Sequence, residues 1–262
     1  MDIDVMMGPA EFEGLAGKPM PGVVCVVFDV LRATSTLLTA LEQGAEGIFP
    51  VATVEEALEV GRRDPSVLLA GERGGVRIGP EISGGRGFDL GNSPREFTRE
   101  RVGGRRIAMT TTNGTRALRA CRGAEAVLAG SFLNLGAVAA AAGGLGAARI
   151  LLVCSGTGEG AALEDSLAAG ACCERLRDSG EFGDAAWLAH DGWQRAKADL
   201  EGAIGRARNA RRLRTLGDLA ADVAYCARVD VSVLVPCLGR DGWLRVGGLG
   251  APRGLDPGRV SP

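Results

Sequence analysis

The chain has 262 residues, 46% of them hydrophobic and 24% charged, enough for one large globular domain or two small lobes with developed cores. Its formal net charge of −2 argues against a dominant nucleic-acid or anionic-membrane surface, so any anion must be met by a local cluster of positive groups. Seven cysteines (Cys25, Cys121, Cys154, Cys172, Cys173, Cys226 and Cys237) follow no zinc spacing and read as reduced core thiols. No charged leader with a long apolar stretch begins the sequence and no apolar run of about 18 residues follows, so a soluble cytoplasmic protein is expected.

Strand-like and helix-like segments alternate along the chain. "VVCVVFDV" (23–30) predicts a buried strand and "TSTLLTALEQG" (34–44) a helix closed by glycine. "EGIFPV" predicts a short strand, and "TVEEALEVGRR" a helix with threonine at its N-cap and acids in its first turn. Strands follow at 66–73, 105–110, 124–130 and 148–156, with helical stretches near 115–121, 134–142 and 161–179. Residues 187–215, charged and arginine-rich, read as a solvated surface helix pair, because acids interleave with the bases. "VDVSVLVPCL" (229–238) predicts a last strand or extended segment, and 251–262 a loose tail. The 41 glycines, scattered through patterned sequence, imply many tight turns. Such alternation predicts a layered α/β/α fold with a largely parallel or mixed sheet, as one domain over 1–250 or as two lobes meeting at a site.

In α/β folds ligands bind beyond the carboxyl ends of strands, and five strand-end loops here concentrate polar residues. "FDVLRATST" carries Asp29 and Arg32, then Thr34 at a helix start; "AGERGG" carries Glu72 and Arg73. "GFDLGNSPRE" offers Asn92 or Ser93 as a helix cap before Pro94. "MTTTNGTRAL" holds Thr111, Thr112, Asn113 and Gly114, and "CSGTGEGAALED" runs from Ser155 to the adjacent carboxylates Glu164 and Asp165. Unpaired amides at helix starts favour anions, and Arg32 and Arg73 can each grip a phosphate, carboxylate or sulfonate bidentately. Asp29, Glu72, Glu164 and Asp165 are hard oxygen ligands suited to Mg²⁺. Metal and anion groups together suggest phosphoryl chemistry.

Taken singly, each feature has a plainer reading: a helix cap, a solvated acid pair, a surface ion pair. "GTGEG" lacks the GK[ST] ending of a P-loop, and "GERGG" falls short of a dinucleotide fingerprint. His190, the only histidine, has no nucleophile motif beside it and reads as a surface or structural residue, which leaves carboxylate–metal catalysis favoured over a histidine triad.

"VVFDVLRATST", "AGERGG…GFDLGNSPRE", "TTTNGTRAL" and "CSGTGEGAALEDSLAAG" resemble, in order, the signature segments of the 2-phosphosulfolactate phosphatase family. The resemblance spans about residues 1–245 and is weakest over 180–215. It implies an unusual α/β fold and Mg²⁺-dependent hydrolysis of 2-phospho-3-sulfolactate to 3-sulfolactate and phosphate, a step associated with coenzyme M biosynthesis. It further implies metal-site roles for Asp29, Glu164 and Asp165, with Glu72 beside them, and anion contacts for Arg32 and Arg73. Thr34, Asn92, Ser93, Thr111, Thr112, Asn113, Gly114 and Ser155 would line the pocket around a small anionic phosphorylated substrate.

Two nucleophiles fit these residues: water activated at a metal, with Asp29 as ligand, or Asp29 itself through an aspartyl-phosphate. The first is preferred, since one carboxylate oxygen cannot serve both roles. A competing function is a non-catalytic binding protein for a small anionic metabolite, which would need the arginines but not the paired carboxylates. A nucleotide-dependent transferase lacks any P-loop signature. A homodimer is left open by the sequence, as is the physiological substrate.

Overall fold

The structure is a computed structural model that describes residues 1–247. Its first half contains β1 (Asp2–Met6), α1 (Pro9–Phe12), β2 (Met20–Phe28), α2 (Ala33–Glu42), β3 (Gly47–Pro50), α3 (Val54–Arg63), β4 (Leu68–Arg73) and β5 (Val76–Arg77). Then come α4 (Pro80–Ser83), α5 (Arg99–Val102), β6 (Arg106–Thr110), α6 (Gly114–Ala120), β7 (Ala124–Gly130), α7 (Leu135–Gly144), β8 (Arg149–Cys154) and α8 (Leu163–Leu176). The chain continues with β9 (Glu181–Phe182), α9 (Asp184–Ala196), α10 (Leu200–Gly205), α11 (Arg208–Arg214), α12 (Ala221–Cys226), β10 (Pro236–Leu238) and β11 (Leu244–Val246).

Local chemistry explains these elements. Between β7 and β8, with both faces covered, β2 is apolar without alternation. In α3 the Thr53 hydroxyl accepts the Glu56 N–H, Glu55 and Glu56 occupy the first turn and Arg62 and Arg63 the last, so cap and dipole agree. The strand expected across 229–238 is limited to Pro236–Leu238. Its approach is irregular, tied down by Asp230 and Ser232 N–H groups donating to the Phe132 and Leu133 carbonyls. The tail expected at 251–262 lies outside the described residues.

The eleven strands form one mixed sheet in the order β5-β4-β6-β3-β11-β10-β7-β2-β8-β1-β9. Strands β7, β2, β8, β1 and β9 pair in parallel, as do β3, β6 and β4. The hairpin β10–β11 joins these blocks, and its contacts to β7, within itself and to β3 are all antiparallel. Three reversals make the two parallel blocks run in opposite directions. Helix α2, which follows β2, touches β7 and β10, while α6, which follows β6, touches β2, β3 and α2. One core cluster threads through both blocks, including Cys25 and Val27 of β2, Ile107 and Met109 of β6, Leu37 of α2 and Leu118 of α6. The loops that start α2 and α6 therefore converge, as the carboxyl ends of two opposed blocks rather than one edge of a single sheet.

A second cluster packs α7, α8 and α9 on the other face through Val138, Leu167, Cys172 and Trp193. All seven cysteines are unpaired and buried. Among the described residues no helix is long and apolar enough to cross a membrane.

Candidate active site

Asp29 follows the last residue of β2 and organises the start of α2. Its Oδ1 accepts the Ala33 N–H at 3.0 Å. Thr34 closes the same turn: its Oγ1 accepts the Asp29 N–H and donates to the Asp29 carbonyl, each at 3.0 Å. Thr34 thus shapes the loop and is itself fully enclosed. Gly114 at the start of α6 comes so close that a Cβ there would lie 2.5 Å from Asp29 Oδ2 and 2.6 Å from the Ala33 Cβ. A glycine is required for the two helix starts to touch. Gly114→Ala is expected to cost about 1–3 kcal/mol by overpacking, read as a lowered urea midpoint.

The hydroxyls of the 110–115 loop mostly hold the site together. Thr111 N–H donates to Thr115 Oγ1 and Thr115 N–H donates to Thr111 Oγ1, each at 3.1 Å. Thr112 donates both its N–H and its hydroxyl to Glu72 Oε1 at 2.8 Å, while Glu72 Oε2 accepts the Gly75 N–H at 2.7 Å. Asn113 Nδ2 reaches the Gly156 and Gly158 carbonyls at 3.0 and 3.1 Å. Loops from β4, β6 and β8 are thereby laced into one wall. The N–H groups of Asn113 and Gly114 find no acceptor among the described residues. Arg73 is not part of the cleft lining and donates instead to the Glu72 carbonyl at 2.6 Å and to Thr110 Oγ1 at 3.0 Å.

Behind Asp29 lie the two acids that open α8. Asp165 Oδ1 accepts the Val30 N–H at 2.8 Å, and Oδ2 accepts the Ser155 hydroxyl and the Gly156 N–H, both at 3.1 Å. It fastens the ends of β2 and β8 to each other. Glu164 Oε1 accepts from Asn209 Nδ2 at 2.7 Å, whereas Glu164 Oε2 is buried with no hydrogen-bond partner. Burial pushes the Asp29 carboxyl above its ordinary value, against hydrogen bonds from Ala33 and Ser155 that pull it down. Burial likewise raises Glu164, and raises Asp165 well above its usual range with added repulsion from Glu164 and Asp29. Among the described residues no three acidic, histidine or cysteine side chains close around one point as a ready-made cation cage.

Arg32, also buried, is held rigidly: one guanidinium nitrogen bonds Asp222 Oδ2 at 2.7 Å and another the Gly75 carbonyl at 2.6 Å. Asp222, fully enclosed at the start of α12, also accepts from the Ser93 hydroxyl at 2.7 Å and from Arg95 Nε at 2.8 Å. Ser93, with Asn92 one of the two residues expected as a helix cap, makes no capping bond and serves this network instead. The Asn92 carbonyl accepts the Thr36 hydroxyl at 3.0 Å, and its side-chain Oδ1 is buried without a partner.

These pieces surround a cleft of about 90 Å³. Asp29, Arg32, Glu72, Asn92 and residues 111–113 and 156–158 line it. Ser155, Glu164, Asp165 and Gly114 are not part of this lining, although Gly114 packs against Asp29. Helix α11 closes the cleft with Asn209, Arg212 and Leu213, so part of the segment read as a solvated helix pair faces the site. Nothing in its local sequence distinguishes Asn209 or Arg212 from surface residues of a basic helix. Asp222 was equally invisible, since its three partners are more than 120 positions away in sequence. His190 is buried beside Phe182 and Trp187, with Nε2 3.0 Å from Gln194, in a structural role remote from the cleft lining.

Opposed parallel blocks, an acidic centre at two helix starts and loops laced by threonine and asparagine define a layered α/β protein with one composite strand-end cleft. A family model described as 2-phosphosulpholactate phosphatase matches residues 12–241. A protein named probable 2-phosphosulfolactate phosphatase in Thermotoga petrophila is 40% identical over 236 residues, covering 90% of this chain and 95% of its own. One of the same name in Deinococcus radiodurans is 43% identical over 218 residues, covering 82% of this chain and 87% of its own. The chain belongs to the 2-phosphosulfolactate phosphatase family.

Proposed function

We propose that this chain is a Mg²⁺-dependent phosphatase that hydrolyses 2-phospho-3-sulfolactate to 3-sulfolactate and phosphate. Family membership supports the substrate, and the buried, unpartnered Glu164 Oε2 beside two further buried carboxylates is the observation that carries the cation. Carboxyls raised by burial and mutual repulsion need a counter-charge at neutral pH. Among the described residues no side chains form a cage by themselves, so a cation here would be held by few carboxylates, with water and phosphate oxygens completing its shell, as Mg²⁺ commonly is. Asp29 and Glu164 are its proposed protein ligands. When bound, the ion supplies charge neutralisation at the phosphoryl oxygens and acidification of water.

The chain's own groups then take distinct parts. Arg32, fixed by Asp222 and the Gly75 carbonyl, sets a positive charge in the cleft against the phosphoryl group. The free N–H groups of Asn113 and Gly114 offer hydrogen bonds to its oxygens. Glu72 and Asp165 hold the loops in register and Ser155 braces the acids, so none of the three need touch substrate. Water adds to phosphorus as the bond to the ester oxygen breaks. One water is consumed, one of its protons ends on the new 2-hydroxyl, and inorganic phosphate leaves. Hydrolysis in ¹⁸O-water should place one ¹⁸O in the phosphate and none in 3-sulfolactate. Label in the sulfolactate, or no release at all, overturns the proposal.

Stability should report the cation independently of turnover. Asp29, Glu164 and Asp165 have raised values in the folded chain. Their contribution is therefore fully present below the unfolded values near ~4 and is lost as pH climbs through the folded ones. A bound divalent cation reverses that loss. The rise in Tm on adding Mg²⁺ should grow from about pH 5 to about pH 8 and should be largely lost in Glu164→Gln.

A binding protein without catalysis would share the cleft but would gain nothing from the buried carboxylates Asp29, Glu164 and Asp165. Conversion of Glu164 to Gln separates the two, because only a phosphatase loses Mg²⁺-dependent turnover.

A further inference from the structure

Two arginines line the cleft, and they differ in what their charge faces. Arg32 is buried and paired with Asp222, which it shares with Ser93 and Arg95. Arg212, on α11, has no carboxylate partner within salt-bridge distance among the described residues, although it lies at the mouth of an acidic cleft. The third arginine of the region, Arg73, is engaged by the Glu72 carbonyl and Thr110 and does not line the cleft.

Backbone chemistry places the Arg212 guanidinium. Gly74 has φ +67, and a Cβ there would lie 2.9 Å from Arg212 Nη2. At Gly75 a Cβ would lie 3.0 Å from Leu216 Cδ1. The turn at Gly74 and Gly75 thus forms a shelf without side chains against which Arg212 of α11 and Leu216, just beyond it, come to rest. That turn is also tied to the catalytic side, since the Gly75 N–H donates to Glu72 and the Gly75 carbonyl accepts from Arg32. Asn209, one turn before Arg212, binds Glu164 at 2.7 Å and Thr157 at 2.8 Å. Helix α11 is consequently registered against both the acid cluster and the loop after β8, which fixes where Arg212 stands relative to Asp29.

We propose that Arg212 determines specificity by binding the non-reacting anionic group of the substrate, a sulfonate or carboxylate, at the cleft mouth. This assignment rests on the phosphatase function proposed above. A phosphorylated 2-hydroxy acid with a sulfonate brings three anionic groups into a cleft that already contains Asp29 and Glu72. The deep end, with Arg32 and the cation, meets the phosphoryl group. A planar guanidinium without a protein counter-ion meets a trigonal or tetrahedral oxyanion through paired N–H bonds. Substrates with a phosphate ester but no second anion leave Arg212 unused.

The test measures Mg²⁺-dependent turnover of 2-phospho-3-sulfolactate, with inhibition by 3-sulfolactate and by inorganic phosphate, in wild type, Arg212→Gln, Arg212→Lys and Arg211→Gln. Arg212→Gln should raise KM and the inhibition constant for 3-sulfolactate about 10- to 100-fold, with kcat falling far less and phosphate inhibition changing little. Arg212→Lys should recover part of that loss. Arg211→Gln, an exposed neighbour outside the cleft, should match wild type and so exclude a general charge effect. Equal weakening of phosphate and sulfolactate, or no weakening of either, overturns the role of Arg212 while leaving the phosphatase intact. Failure of wild type to release phosphate overturns the function itself.

Discussion

Asp29→Asn is expected to reduce kcat by at least about 10³-fold, roughly 4 kcal/mol of transition-state stabilisation, while leaving the cation-free protein as stable as wild type or more so. The first part follows from position. Asp29 is the acid of the buried cluster that lines the cleft, at the meeting of two helix starts and in electrostatic contact with Glu72, Glu164 and Asp165. The second follows from sign. Burial raises the Asp29 value, so its ionised form at neutral pH destabilises the folded chain, and an amide removes that charge. An Asn oxygen can still accept the Ala33 N–H that Asp29 Oδ1 accepts. Activity and cation-free Tm should therefore move in opposite directions, as at sites where function is maintained at a cost to stability. A variant that keeps turnover, or that loses both turnover and Tm, contradicts this account of Asp29. Rapid-quench experiments on wild type should show no burst of 3-sulfolactate and no acid-stable label on Asp29, as expected when water is the nucleophile.

Asp222→Ala is expected to destabilise the protein by about 3–5 kcal/mol, measured by urea denaturation. Arg32 and Asp222 form a salt bridge whose side chains are 2% and 0% exposed, so removal of the acid strands a buried guanidinium. The Ser93 hydroxyl loses its acceptor in the same step. Arg95, whose side chain is 39% exposed, provides the contrast: Arg95→Ala should cost about 1 kcal/mol or less, because solvent screens its share of the network. Asp222 positions Arg32 and does not itself line the cleft. In a milder variant that still folds, Asp222→Asn, kcat should fall because Arg32 is no longer held against the Gly75 carbonyl and the phosphoryl site.

The sequence made the frame legible where patterning is local. Residues 23–28 are apolar on both faces because a core cluster covers each side of β2, and Thr53 with Glu55 and Glu56 announces α3 without tertiary help. Short strands such as β9 and β11 were not legible, since two or three residues carry no periodicity and exist only through their partners. The opposition of the two parallel blocks depends on the β10–β11 hairpin, whose single-residue pairings to Leu128 and Ile48 leave no signature in either strand.

The site divides in the same way. Asp29, Glu72, Asn92 and Thr111 to Asn113 reach the cleft, and their clustering at strand ends was visible in their residue types. What residue type could not reveal was which hydroxyls bind the protein itself. Thr34, Thr111 and Thr112 are largely engaged within the loops. Nor could it show that Arg73 would bond to Glu72 and Thr110 outside the cleft lining while Arg212, in an arginine-rich helix far along the chain, would join it. Those outcomes depend on the packing of α11 against the turn at Gly74 and Gly75.

The most direct measurement is steady-state phosphate release by the purified protein from 2-phospho-3-sulfolactate and from other small phosphorylated hydroxy acids, with Mg²⁺ and with the metal chelated. The account predicts the highest kcat/KM for 2-phospho-3-sulfolactate and loss of release on chelation. No release from any of these esters in the presence of Mg²⁺ would contradict it.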